Sequence, residues 1–373
     1  MSAVPSQSPP LRVAMVAARA APYTGGVETH VDEVCARLAA DGVDVTVLTT
    51  DPSGDLACTE DRRGYRLRRW PAYPRSRDYY LSPGLTAHLR RSTYRYDLVH
   101  VQGAHSLVAP GALAAARTAR IPAVLTFHTG GHSSGIREAL RPVQWRVMAP
   151  LLRSCRALVA VCEFERETFA RVLRVPQSRI RLIPNGCTPL PVDAAATGIT
   201  GEPLLVSVGR LERYKGHHRL LAAMPAILRR APGARLALVG SGPYEKPLRD
   251  MAIGLGVQDR VVIRGFGADE RGRLGKLVSD ADLVCLLSDY EAHPVAVMEA
   301  LAGGATVLTA DTSGLSELGR KGLVTTIAVD AEPERLAAVA LELAGRPRSA
   351  PPPLPSWDAC AQRLAALYRD CLG

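Results

Sequence analysis

Ala281-Asp-Leu-Val-Cys-Leu-Leu287, followed by Glu291-Ala-His-Pro-Val-Ala-Val-Met-Glu299, sets the reading of the whole chain. The first run is short and apolar, as a buried strand is. After Pro294 the pattern turns helical and runs into the Ala-rich Glu299-Ala-Leu-Ala302. The two carboxylates therefore bracket a strand-to-helix turn, with Glu291 in the loop and Glu299 on the early helix. Helix-start N–H groups between them point into the crevice at the strand's carboxyl end, a place that suits an anion. A carboxylate on either side can accept from hydroxyls. Phosphate plus polyol is the chemistry of a sugar nucleotide.

The same strand-then-helix rhythm extends outward in both directions. Leu11–Ala17, Val43–Thr49, Asp97–Val101, Ala123–Phe127 and Ala157–Val161 are β-rich runs alternating with Ala/Leu/Arg stretches. That is the pattern of βαβ units in a parallel sheet. Thr188 to Gly201 is rich in Pro, Ala and Gly without periodicity and reads as a linker. A second series opens at Leu204–Gly209 and continues through Arg235–Gly240, Val261–Arg264 and Thr306–Thr309. A Pro-rich break from Arg346 to Pro355 precedes an amphipathic stretch, Ser356–Leu372, with Trp357, Cys360, Leu364, Leu367, Tyr368 and Cys371 on one face. The expected fold class is α/β, with two doubly wound Rossmann-like domains facing across a cleft. The expected first domain is 1–188 plus the C-terminal helix 356–373; 189–201 is the linker and 202–355 the second domain.

The chain has 373 residues, enough for two cores, with 47% hydrophobic and 22% charged residues. It has no run of about eighteen apolar residues, so no membrane span is expected. Residues 1–10 read as a disordered leader without signal-peptide character. The eight cysteines show no metal-type spacing and several sit in apolar runs, as reduced thiols of a cytoplasmic protein would. The formal charge of +10 is concentrated in residues 1–195, which hold 25 Arg, no Lys and 16 Asp plus Glu. With 42 Arg to 4 Lys overall, a solvated Arg-rich surface is the plain reading. An acidic membrane surface or an anionic acceptor is the functional one. Aromatic content of 5% without basic–aromatic interleaving argues against nucleic acid.

Gly209-Arg210-Leu-Glu-Arg213-Tyr-Lys215-Gly216 places cations in a loop between strand and helix. Arg210 and Lys215 can clamp a diphosphate, with Arg213 a less certain third. In the first domain, Gly25-Gly26 precedes a helix and forms an anion-cradling turn or a simple tight one. His128, with His132 further along Phe127-His-Thr-Gly-Gly-His132, sits in a Gly-rich loop after a strand, an unusual place for packing. Pro184-Asn-Gly186 reads equally as a turn or a cleft contact. Arg264-Gly-Phe266 reads as a plain turn or as backbone facing a base. Phosphate-loop, nucleophile-elbow, zinc-protease and hydride-type glycine motifs are all missing from the sequence.

In this order and company the motifs resemble the family 4 glycosyltransferases, retaining enzymes of the GT-B fold. A later Gly314-Leu-Ser-Glu317 is similar to the family's Gly-Gly-x-Pro-Glu, and the terminal Trp/Tyr helix to the GT-B tail that returns to the first domain. The resemblance implies a nucleotide-diphosphate sugar donor, UDP- or GDP-linked, with no metal required. It implies Gly26, beside Gly25, on the diphosphate; Arg210, after Gly209, and Lys215 on the phosphates; and Glu299 on the ribose. It further implies Glu291 on the donor sugar, and Val295 and Ala296 N–H groups facing sugar or phosphate. Arg264 and Phe266 would flank the base, and His128 would lie near the anomeric carbon. Attack is then front-face and catalysis rests on positioning and charge stabilisation. His293-Pro294 replaces the family's usual Phe-Gly. Proline removes an N–H, and His293 is expected at the donor sugar or diphosphate. The leading expectation is a cytoplasmic enzyme of specialised metabolism, such as antibiotic biosynthesis, with a small-molecule acceptor. The alternatives are a membrane-surface transferase using Arg62–Arg77 and Arg90–Arg95 with Tyr73, Tyr79, Tyr80 and Tyr94, and a GT-B sugar-nucleotide epimerase.

Overall fold

The computed structural model describes residues 9–75, 80–92, 94–104, 106–129, 135–194, 197–348 and 350–373. The expected leader up to position 8, together with Arg77, Tyr79 and His132, lies outside them.

The first sheet contains β1 (Arg12–Ala17), β2 (Asp44–Asp51), β3 (Thr59–Arg62), β4 (Tyr65–Pro71), β5 (Leu98–Gln102), β6 (Ala123–Thr126), β7 (Ala157–Ala160) and β8 (Ile180–Leu182). Their order is β3-β4-β2-β1-β5-β6-β7-β8, with every pairing parallel but β3–β4. The second contains β9 (Leu204–Val208), β10 (Arg235–Val239), β11 (Val261–Arg264), β12 (Leu283–Leu286), β13 (Val307–Ala310) and β14 (Thr325–Ile327). It is wholly parallel, in the order β11-β10-β9-β12-β13-β14. Each sheet reverses its direction of growth once, between β1 and β5 and between β9 and β12. Crevices open at such switch points.

Both sheets are covered on two faces, which is why their strands read as continuous apolar runs. In β1, Val13, Met15 and Ala17 enter one core while Ala14 and Val16 enter the other. Around β12, Leu283, Cys285 and Leu287 divide from Val284 and Leu286 in the same way. The helix Trp357–Leu372 buries Trp357, Cys360, Leu364, Leu367, Tyr368 and Cys371 in a core of the first sheet. Its start crosses directly over Gly186. A Cβ there would sit 2.2 Å from the Trp357 nitrogen, so only glycine permits the crossing.

The β3–β4 edge hairpin is absent from the sequence reading, which takes this Arg-rich run as surface. In the fold it is fastened inward. Arg62 and Arg63 pair with Asp32, and Arg63 also with Glu33. Arg69, 6% exposed, donates to Ala21 O, Ala57 O and Glu60. These cations are spent on structure. No helix among the described residues is long and apolar enough to cross a membrane.

Candidate active site

The Gly209–Gly216 loop follows β9 and the Ser288–Pro294 loop follows β12, so the two flank the switch point of the second sheet. Lys215 Nζ donates to Glu291 Oε1 at 2.5 Å, with the side chains 16% and 9% exposed. Ser288 Oγ donates to the same oxygen at 2.9 Å. Burial works against the Lys215 charge, but the Glu291 carboxylate outweighs it and the ammonium pKa is raised. Gly216 makes this approach possible. It has φ +74°, and a Cβ would lie 1.8 Å from Leu287 O at the end of β12. The backbone of Glu291 is pinned separately: its N–H donates to Ser313 Oγ at 2.8 Å, and its carbonyl accepts from Ser313 Oγ and Gly314 N–H.

Arg210 is half exposed and reaches Glu212 at 3.0 Å. Its charge also acts across the cleft on Glu28, whose carboxyl pKa is raised by burial and held back by Arg19 and Arg210. Glu299 accepts from Arg271 Nη2 at 2.5 Å. Burial raises the Glu299 pKa, and Arg271 opposes the rise. The Arg264 guanidinium lies 4.2 Å from the Phe266 ring centroid and bonds Glu270 at 3.0 Å.

Two helix starts face each other across the cleft. The helix Gly26–Ala40 has Gly25 at its N-cap and the helix Val295–Ala302 has Pro294, and neither has a side-chain cap. A Cβ on Gly26 would lie 3.7 Å from Val295 Cγ2, so the two elements nearly touch. The first turns of both, including Val295 and Ala296, carry backbone N–H groups without a side-chain cap.

His128 lies beyond β6 with φ +45°. Its Nε2 bonds Gln102 Oε1, at the end of β5, at 2.8 Å. Gln102 in turn lies against His100, whose Nδ1 bonds the Tyr368 hydroxyl at 2.6 Å and whose Nε2 bonds Thr126 at 2.8 Å. The next residue, Thr129, bonds the hydroxyl of Tyr290 at 2.9 Å, from the other side of the cleft. The His30 ring packs edge-on against His128 at 4.5 Å; burial pushes the His30 pKa down to about 4.

The fold thus brings together Lys215 with Glu291, Gly26 with Val295, and Arg264 with Phe266. Gly209 sits under the Arg210 loop, where its N–H bonds Val239 O. His128 approaches the Lys215–Glu291 pair through Thr129 and Tyr290, with no direct hydrogen bond to either among those described. His293, expected at the donor sugar or diphosphate, lies half-buried beside the domain boundary. Its carbonyl accepts from Asn185 at 3.3 Å, and its Nδ1 is buried without a partner. Burial lowers its pKa to about 4, and the charges it feels are Glu317 and Lys321. Its imidazole belongs to the seam between domains. Sequence reasoning missed Gln102, Arg271, Ser288 and Tyr290. Gln102 offers one signal, a polar residue closing an apolar strand; Ser288 acts within its own loop, three residues before Glu291, and Arg271 and Tyr290 are tertiary partners. Among the described residues, no three His, Cys, Asp or Glu side chains converge to hold a metal.

Comparison with known proteins places this geometry. The family model Glycosyltransferase Family 4 matches residues 24–189, and Glycosyl transferases group 1 matches 192–345. The chain is 30% identical to a glycogen synthase of Mycobacterium tuberculosis, over 82% of this chain and 80% of that protein. It is 28% identical to that organism's GDP-mannose-dependent alpha-(1-6)-phosphatidylinositol monomannoside mannosyltransferase, over 96% and 98%. In fold it is similar to Anabaena HepE, solved with UDP and glucose, with TM-score 0.70 and 20% identity over 97% of each chain. Family models over both halves, a relative at this identity and two facing Rossmann-like sheets agree: the chain belongs to the family 4 glycosyltransferases of the GT-B fold.

Proposed function

We propose that this glycosyltransferase moves a sugar from a nucleotide-diphosphate sugar to a small-molecule acceptor with retention of configuration. The observation that carries the reading is the pair of helix starts without side-chain caps that come together at Gly26 and Val295, the latter in the domain that also holds Arg210 and Lys215. Backbone donors together with two cations suit a diphosphate. Lys215 and Ser288 both bond Oε1 of Glu291, which leaves Oε2 for a sugar hydroxyl. Arg271 holds Oε1 of Glu299, which leaves its Oε2 for ribose. Arg264 and Phe266 form a face for the base.

His128, held by Gln102, is the first domain's contribution near the anomeric carbon. With a carboxylate nucleophile absent from this assignment, attack is front-face, and the leaving diphosphate helps to take the acceptor proton. Rate then comes from positioning and from charge stabilisation by Arg210, Lys215 and the helix starts. Of the basic stretches a membrane-bound acceptor would use, Arg62, Arg63 and Arg69 are engaged in internal pairs.

The test is a thermal-shift series with UDP, GDP, ADP and dTDP, followed by NMR of the product made from the matching sugar nucleotide. A ligand of the folded state raises Tm by mass action. One base is expected to do so, and the new glycosidic bond is expected to keep the donor's anomeric configuration. An inverted product, or an isomerised donor formed without acceptor, overturns the reading.

A further inference from the structure

The helix Glu163–Leu173 of the first domain meets the second domain at its first turn, in two places. Glu317 Oε2 accepts the backbone N–H of Glu163 at 2.8 Å. The helix has Cys162 at its N-cap and no side-chain cap of its own. A carboxylate there satisfies one orphan donor and the positive end of the helix, so the second domain supplies the missing cap. Glu317 is buried, and Lys321 holds its other oxygen at 2.6 Å.

The second meeting runs through Glu165, on the same turn and fully buried. Its Oε2 accepts from Val161 N–H at 3.0 Å; its Oε1 accepts from Thr129 N–H at 2.6 Å and lies 2.5 Å from Thr129 Oγ1. Both carboxylate oxygens are therefore acceptors. The Thr129 hydroxyl meets Glu165 on one side and the Tyr290 hydroxyl, 2.9 Å away, on the other. A hydrogen-bonded chain runs from Tyr290 through Thr129 to Glu165 across the domain boundary. Tyr290 is the neighbour of Glu291, and Thr129 the neighbour of His128.

We infer that this first turn is the dock on which the donor domain closes, and that Tyr290 and Glu317 are positioning residues that set His128 opposite Glu291. The inference rests on the proposed function only for the identity of the molecule that fills the crevice. Occupancy beside Glu291 steadies Tyr290, and the helix cap at Glu317 holds the turn against which Tyr290 works.

Amide hydrogen exchange tests it, on the full chain and on Glu317→Ala, Glu317→Gln and Tyr290→Phe. Without nucleotide, Glu317→Ala should speed exchange at Glu163 by about tenfold, and Glu317→Gln, whose amide oxygen still accepts, by much less. With saturating UDP, GDP, ADP or dTDP, whichever binds, exchange at Glu163 and Thr129 should slow in the parent chain. That slowing should vanish in Glu317→Ala and Tyr290→Phe, while nucleotide Kd stays within about threefold, because the anchors are untouched. A merely structural role would not produce a nucleotide-dependent difference rescued by Gln. Unchanged Glu163 exchange in Glu317→Ala overturns the dock, as does nucleotide binding without slowing in the parent. If none of UDP, GDP, ADP and dTDP binds, the functional proposal fails, and the dock stands or falls on the unliganded comparison.

Discussion

The two sheets share one winding pattern, yet their crevices are furnished differently. Beside β9 and β12 the second sheet carries ionised groups: Arg210, Lys215, Glu291, Glu299 and Arg271. Beside β5 and β6 the first sheet carries a line of hydrogen-bonded ring, amide and phenol groups, His128–Gln102–His100–Tyr368, in which burial keeps His100 uncharged. The difference teaches a division of labour. Charge recognises a charged ligand and tolerates modest misplacement; hydrogen bonds fix geometry and act over short range.

Removing one charge breaks the contrast most severely. Lys215→Ala takes a cation from the crevice and leaves Glu291 buried beside Ser288 alone. Breaking such a pair costs about 3 kcal/mol or more of stability, and loss of an electrostatic clamp costs ~100-fold or more in turnover. Steady-state kinetics and a melting curve check both effects, and a variant within tenfold of the parent removes Lys215 from the reaction. Gln102→Leu probes the hydrogen-bonded side. It deprives His128 of a partner worth about 1 kcal/mol, so turnover should fall roughly tenfold while UDP or GDP affinity by calorimetry holds within about twofold. A matching loss of nucleotide affinity would erase the distinction between the crevices.

The smallest effect is on pH dependence. Burial pushes His30 and His293 to about 4 and His100 to about 3. Their folded values lie below the unfolded one near 6.5, so the unfolded chain takes up protons first as pH falls. Stability from these residues is complete above pH 6.5 and is lost from there down towards pH 4. Melting curves should show a flat Tm from pH 7.5 to 6.5, then a decline of several degrees by pH 5. A Tm that rises over the acid range contradicts neutral burial of this cluster.

The strand-turn-helix around Glu291 was legible because apolar period, proline and paired carboxylates all fall within nineteen positions, 281–299. The alternation of strands and helices, and the apolar face of Trp357–Leu372, were legible for the same local reason. The edge hairpin was not, because Arg62 and Arg63, which look like surface, pair with Asp32 and Glu33 of a distant helix, and Arg69 is buried against Glu60 on the partner strand. Arg271 and Tyr290 were hidden likewise, since each acquires its role from a partner distant in sequence: Arg271 from Glu299, Tyr290 from Thr129. His293 was visible as a departure from the family pattern, but its place in the seam follows from packing against Asn185 and neighbouring His30, which no local pattern encodes.

The charged crevice is the centre of this account, and calorimetric titration of UDP and GDP into the parent chain and Glu299→Ala tests it most directly. One nucleotide should bind the parent, and the variant, folded by its melting curve, should bind it at least about tenfold more weakly, the worth of a charge-assisted hydrogen bond. Equal affinity in the two proteins would contradict the placement of ribose at Glu299 and with it the assignment of the second sheet's crevice to the donor.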